Sequence, residues 1–359
     1  MDPRKFLEWL SDREKCRSPI GWGHELSEVS IQGSELAVLA VSDSNYLSRC
    51  ATMLESAECD HFSTVLALDD GAFNLRNEFP DIAIVRLEAY LQQNPNVARS
   101  IQGRSRSEQI FSVGPSVLLS LADDVSPGGW LAYADSDLFF LSSLQHYLDQ
   151  FESANVVLAP HRHYAWNKRR LAKYGAFNVG LVAFRNNEEG LRTLRFWAES
   201  CLTWCFDRAE EGKYADQKYL EAFSSIAAGV YVDASVGVNL APWNAPLGKI
   251  AKTESGRIVV DNQPLVYFHA QGLQRTRGRW VLGHLKYCSL ASSRLKRLVY
   301  RPYLTRLEAW SSKSGFENFG TSRTPTKFSA RVVARLTYAF SLLLGQTIEV
   351  SDQILGASR

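Results

Sequence analysis

The sequence is poor in sulfur chemistry. It has six cysteines, at 16, 50, 59, 201, 205 and 288, and none forms a C-x-x-C pair. That spacing argues against zinc ribbons and thioredoxin-type redox centres. Cys201 and Cys205 lie a helical turn apart in an apolar stretch, which reads as packing. Long apolar runs are also missing, since none approaches the roughly 18 residues that a membrane span needs. The opening "MDPRKFLEWL" lacks the apolar centre of a signal peptide, so a reducing cytoplasm is the expected compartment. Neither sign of charge dominates: 40 Lys and Arg stand against 38 Asp and Glu, and no nucleic-acid partner is expected. No internal repeat or low-complexity linker is present.

What remains is an ordinary globular composition, 45% apolar and 22% charged over 359 residues, enough for a sizeable α/β core. "ELAVLAVS" (Glu35–Ser42) is a continuous apolar run, the pattern of a strand buried on both faces. In the next segment Leu47, Ala51, Leu54 and Ala57 share a helical face, with Asp43 or Ser44 as its cap. "FSTVLALDD", "IAIVRLE", "WLAYADSD", "NVVLAP" and "FNVGLVAFR" read as further strands, and "PLVYFHAQGL" as a last one ending in His269. "SEQIFSVGPSVLLSLADD", "LRTLRFWAESCLTWCF" and "ADQKYLEAFSSI" read as helices. Alternation of buried strands with helices predicts an α/β fold, a Rossmann-type and mostly parallel sheet flanked by helices. Three regions are expected: an N-terminal arm over 1–34, the α/β domain over 35–290, and a basic helical extension over 291–359.

"WLAYADSDLFFLSSL" sets Asp135 and Asp137 between two apolar runs. Like charges repel there and desolvation is costly, unless a counter-charge is supplied. The pair stands at the carboxyl end of a strand, where open α/β sheets bind ligands. Two carboxylates converging on one side suit a hard divalent cation, Mn²⁺ or Mg²⁺. The alternative is a solvated strand end with one Asp capping a turn. A calcium loop is excluded, because Leu138–Leu141 offer no oxygen side chain.

Further segments follow in order: "VSDSNYL", "RSRSEQIFSVGP", "LAYADSDLFFLSSL", "FNVGLVAFRN", "YADQKYL" and "YFHAQGLQR". In this order, over about residues 35–280, the chain resembles nucleotide-sugar-dependent glycosyltransferases of the GT-A fold, most closely the family-8-like branch. The resemblance implies transfer of a sugar from a nucleotide-diphosphate donor to a saccharide or lipid-linked acceptor in surface glycan synthesis. A UDP-sugar is favoured as donor, with a GDP-sugar as the second choice.

It also implies roles. Asp137 and His269 would bind the metal, with Asp135 shared between metal and ribose; outside the motif, His269 would read as a core histidine. Asp43 would meet the nucleotide base, a role compatible with helix capping. Arg106, with Arg104 an equal candidate on spacing, would reach the diphosphate or the donor sugar. Asn178 and Gly180 would floor the sugar pocket. Asp216 and Gln217 would face the reacting carbon, although an Asp at a helix start is more often a cap. Gly272 belongs to the H-x-x-G segment, and Arg275 would pair with phosphate oxygens. Where the family has Lys, Pro and Trp, this sequence has Arg275, Thr276 and Arg277. A retaining transfer is favoured over an inverting one. The competing readings are a catalytically degenerate carbohydrate-binding or scaffold module, kept in view by the lost Lys-Pro-Trp, and a sugar-1-phosphate nucleotidyltransferase, which would want a glycine-rich loop that "VSDSNYL" lacks.

The tail has its own pattern. "RVVARLTYAFSLLLG" puts Val332, Leu336, Ala339/Phe340 and Leu343 on one face, with Arg331 and Arg335 beside it. From Arg294 onward 11 Lys and Arg stand against 4 Asp and Glu. Such a segment suits either an anionic membrane surface or docking on the core.

Overall fold

The structure, a computed structural model, describes residues 33–57, 62–167, 169–210, 212–245, 248–313, 315–316 and 328–350. The arm expected over 1–34 lies outside the described residues as far as residue 32.

Strands β1 (Ser34–Ser42), β2 (Phe62–Ala67), β3 (Ala83–Arg86) and β4 (Val125–Ala134) pair in parallel. β5 (Leu138–Phe140) follows a tight turn and leaves their plane of pairing. β6 (Val156–Pro160), β7 (Phe177–Arg185) and β8 (Val230–Val232) complete a seven-stranded sheet in the order β3-β2-β1-β4-β7-β6-β8. β7 runs antiparallel to both β4 and β6, and every other pairing is parallel.

The continuous apolar runs are explained by packing on both faces. Along β1, Ala37, Leu39 and Val41 join one core cluster, and Leu36, Val38 and Ala40 the other. β4 divides the same way, with Leu131 and Tyr133 on one side and Trp130, Ala132 and Ala134 on the other. Helix α1 (Leu47–Ser56) covers the second face through Leu47, Cys50, Ala51 and Leu54. Helices α2 (Arg106–Ser120) and α3 (Glu188–Thr203) cover the first, through Val113, Val117, Leu194 and Trp197. α2 starts where Ser105 and Glu108 form a capping box, each side chain bonding the other's backbone N–H. Cys201 and Cys205 are fully buried in this core, as packing residues.

A third cluster lies beyond the main sheet. β9 (Ile250–Lys252), β10 (Ile258–Val260) and β11 (Gln263–Pro264) form a small antiparallel sheet. β12 (Tyr267–His269) pairs antiparallel with β5. β13 (Gln274–Thr276), β14 (Arg279–Val281) and β15 (Thr347–Ile348) form another three-stranded sheet. Leu295, Val299 and Tyr300, with Tyr303, Leu304 and Leu307 of helix α4 (Arg301–Ser311), are buried against Phe139, Phe268 and Trp280. Packing therefore does not separate the segment after 290 from the domain before it. Helix α5 (Phe328–Leu343) is different: Val332, Leu336, Phe340 and Leu343 of its apolar face are exposed by 38, 53, 53 and 78%. Its end is held by β15, by Gln346 and by Lys296, whose Nζ donates to Gly345 O. Among the described residues no helix is long and apolar enough to cross a membrane.

Candidate active site

The turn Asp135-Ser136-Asp137 is pinned on three sides. Asp135 N donates to Gly180 O of β7 at 2.8 Å, Ser136 Oγ to Val41 O of β1 at 2.7 Å, and Ala270 N to Asp137 O at 3.0 Å. Leu138 N closes the turn on Asp135 O at 3.1 Å. The β5–β12 register then sets His269 opposite Leu138, beside the carboxylates. His269 Nε2 lies 3.1 Å from Asp137 Oδ1 and 3.7 Å from Asp135 Oδ2. One ligand atom from each of the three falls within 4.8 Å of the others. His269 is buried, while both carboxylates keep some exposure into the cleft.

The other side of the imidazole is also fixed. Nδ1 lies 3.1 Å from Asn178 Oδ1, which also accepts from Gly180 N at 3.2 Å. Those contacts orient the amide, so Nδ1 donates and Nε2 is turned to the carboxylates. Asn178 Nδ2 reaches Gln217 Oε1 at 3.4 Å, and Gln217 Nε2 donates to Tyr174 O at 2.7 Å. Gly180 makes the arrangement possible: a Cβ there would stand 2.6 Å from Asn178 Oδ1 and 2.7 Å from His269 Nδ1. Sequence analysis put Gly180 in a pocket floor; the structure puts it behind the histidine.

The electrostatics follow from these distances. Burial works against ionisation of His269, but Asp137 and then Asp135 outweigh it and raise its pKa. Burial raises Asp137 as well, yet His269 and Arg49 bring it below the usual carboxylate range. Asp135 goes the other way: burial and the Asp137 charge raise it against the pull of His269 and the Tyr133 hydroxyl. Arg49, nearly buried on α1, donates through Nη2 to Leu273 O at 2.7 Å, a cation near the carboxylates that sequence analysis did not single out.

Beside the cluster opens a pocket of about 220 Å³ whose lining includes Asp135, Asn178, Asp216 and Gln217. Asp216 precedes a 3₁₀ turn, Gln217–Ala222, and its side chain makes no capping bond. Its carboxyl group still meets the backbone N–H groups of Asp216 and Gln217, which favour the ionised form. Burial first, and the Asp135 charge second, push its pKa up to about 8. The far wall comes from residues that sequence analysis passed over: His161, His163 and Trp243 from irregular segments and Tyr287 from a 3₁₀ turn, with Arg170 and Lys286 at Tyr287. Trp243 meets the His269 ring edge-on at 5.3 Å. The H-x-H of "HRHY", placed just after a buried strand, was the available signal.

The remaining candidates do not line that pocket. Asp43 receives Asn45 N at 2.9 Å in a turn after β1; helix α1 begins at Leu47 with no side-chain cap. Arg106 opens α2 and donates to Leu68 O. Arg104 is buried, bonded to Cys201 O at 2.8 Å and Leu202 O at 2.6 Å, which is a structural role. Gly272 adopts φ +78° and packs against Gly283. Arg275 forms an ion pair with Glu308 at 3.2 Å and lies over Trp280, and Arg277 lies over Tyr338.

No family model matches the chain. Two relatives come from Bacillus subtilis (strain 168). The uncharacterized protein YfnD is 26% identical over 276 residues, covering 74% of this chain and 87% of its own length. The uncharacterized protein YfnF is 24% identical over 230 residues, covering 61% and 74%. Among solved structures, the galactosyltransferase LgtC in complex with donor and acceptor sugar analogs is similar at 13% identity and TM-score 0.46, covering 82% of this chain and 99% of that one. The glycosyltransferase GlyE of Streptococcus pneumoniae TIGR4 is similar at 16% identity and TM-score 0.40, covering 79% and 64%.

Proposed function

We propose that the chain is a metal-dependent glycosyltransferase that moves a sugar from a nucleotide-diphosphate sugar to a saccharide or lipid-linked acceptor. The observation that carries this reading is the Asp135–Asp137–His269 cluster at the carboxyl end of β4, opening onto a polar pocket. Two carboxylates and one imidazole nitrogen are a donor set that fits Mn²⁺ or Mg²⁺, and the Nδ1 bond to Asn178 leaves Nε2 free to ligate. When bound, such an ion would neutralise the charge that develops on a departing diphosphate.

The chain's own residues do the rest. The Gln217–Asn178–His269 chain of contacts holds the ligand geometry, and both amides line the pocket beside it. Asp216, whose burial favours the protonated form, lines the same pocket and offers a hydrogen bond to a sugar hydroxyl. Retention is the stereochemistry this supports. An inverting transfer needs an ionised carboxylate at the acceptor hydroxyl, and Asp216 is the one carboxyl group among the described lining residues outside the metal set. A UDP-sugar is the favoured donor and a GDP-sugar the second choice. The cell location is the cytoplasmic face of an anionic membrane, reached through the uncovered apolar face of α5 and the basic residues before it, with surface glycan synthesis as the setting.

A panel of UDP-, GDP- and CDP-sugars, incubated with Mn²⁺ or Mg²⁺, tests the reading. Metal-dependent release of nucleotide diphosphate from one donor is the expected result. Absence of both turnover and binding across the panel would leave a scaffold, and release of pyrophosphate from a sugar-1-phosphate with a nucleoside triphosphate would leave a nucleotidyltransferase.

A further inference from the structure

A second cleft, of about 580 Å³, lies between the β9–β10 turn and the start of α4. It shares no lining residue with the pocket around Asp216. Lys252, Arg257, Arg297 and Arg306 line it, and an adjoining hollow of about 420 Å³ shares Lys252 and Arg297 and adds Arg294. Among the described residues lining the two there is no Asp or Glu, and none of these five cations takes part in an ion pair with another described residue. Glu254, in the same β9–β10 turn, does not line it.

We infer that this double cleft binds a phosphate-bearing anion. The floor is apolar, with Phe139, Leu141, Ile258 and Leu298, so an anion between the cations is attracted through a medium less screening than water. Four of the five cations are arginines, whose planar forks match phosphate oxygens in pairs. Arg306 is held over the Phe139 ring at 5.4 Å, which limits its freedom before any ligand arrives. Arg297 stands in a π-helical turn, Lys296–Tyr300, an irregularity that costs helix regularity and recurs at ligand sites. The two joined hollows suit an extended anion, a diphosphate or a run of phosphodiesters, better than a single phosphate. The inference stands apart from the transferase reading, because it uses none of that site's residues.

Calorimetric titration of the full chain with inorganic tripolyphosphate, in EDTA and at low ionic strength, tests it. Binding is expected to weaken with added salt. It should fall by about tenfold or more in Arg297→Glu/Arg306→Glu, which removes two charged contacts and puts two like charges against the anion. Asp137→Ala should bind as the unmodified chain does. The milder Arg297→Gln/Arg306→Gln, checked by its melting temperature, replaces the charge reversal if that variant does not fold. Equal affinity in the unmodified chain and a folded double variant, or no binding by the unmodified chain, overturns the inference. Phosphatidylglycerol vesicles that displace tripolyphosphate assign the site to a lipid headgroup; failure to displace it assigns the site to a soluble phosphate-bearing ligand.

Discussion

Two regions of this molecule break the usual division between a greasy inside and a charged outside, and they break it in opposite senses. At the end of β4 a buried imidazole and two carboxylates sit behind an apolar strand. On α5 a stripe of Leu, Val and Phe faces outward. The first departure is held from every side, by β1, β7, β12 and the Asn178 amide. The second is held, among the described residues, near the helix end by β15, Gln346 and Lys296 and by Arg277 over Tyr338. A charge cluster costs several kcal/mol if misplaced and needs rigid partners. An exposed apolar stripe makes no directional demand on its neighbours, and its hydration cost is relieved when a broad surface covers it. On the proposed reading, the first is a site for a small ion and the second a surface for a membrane.

The strongest way to break the comparison is to remove a ligand. Asp137→Ala takes away one of three donor atoms, and the loss in metal-dependent turnover should exceed the roughly 10–100-fold that even an outer-sphere partner costs. Circular dichroism should show the fold intact. Full turnover in this variant, or in the unmodified chain under EDTA, would end the metal reading.

Gly180→Ala sharpens it next. The added methyl would lie within 2.7 Å of both His269 Nδ1 and Asn178 Oδ1, so the histidine must shift from behind. Metal affinity is expected to fall by roughly 10–100-fold, with a loss of about 1–3 kcal/mol in stability from overpacking. Unchanged metal titration would show that the histidine's back support is not needed.

Legibility followed the same division. The strands, the D-x-D turn and the H-x-x-G end were readable, because a buried strand and a charge inside one leave a local imprint. The direction of β7 was not: a strand packed on both faces is apolar throughout whichever way it runs. Nor were the pocket walls, since His161 and Trp243 come from irregular segments and Tyr287 from a 3₁₀ turn too short to leave a period. The Arg275–Glu308 ion pair was not legible, because the two residues are distant in sequence and only the tertiary fold makes the pair. Gly180 was legible as special and not as a spacer for a histidine on another strand.

Two buried histidines extend the comparison inward. His269 is drawn toward the charged form by carboxylates, whereas no carboxylate among the described residues acts on His284. Its Nδ1 pairs with Ser289 Oγ at 3.0 Å, its ring meets Tyr300, and burial, aided by Lys296, pulls its pKa down to about 3. The unfolded chain, titrating near 6.5, then takes up the proton first, so stability is present above about 6.5 and is lost as pH falls toward 3. Between pH 7 and about 5.5 this contributes a loss of about 1 kcal/mol. Denaturant melts of His284→Gln, which keeps a partner for Ser289, should be less pH-sensitive by that amount. Parallel curves for the two chains would mean that His284 is not held neutral.

The smallest expected effect on stability belongs to the outward stripe. Leu336 and Phe340 are each 53% exposed, so replacing both by Ser removes little buried area. The change in unfolding free energy should stay within about 0.5 kcal/mol per site, as for surface positions generally. Vesicle sedimentation should respond much more. The unmodified chain is expected to bind anionic vesicles, less so as salt rises, and the double variant to lose most of that binding. Arg297 and Arg306 remain in this variant, so its titration with tripolyphosphate should be unchanged, which separates the apolar stripe from the basic cleft. A large drop in stability with vesicle binding intact would mean that the stripe is covered in solution, and the opposition between the two regions would then reduce to one unusual site.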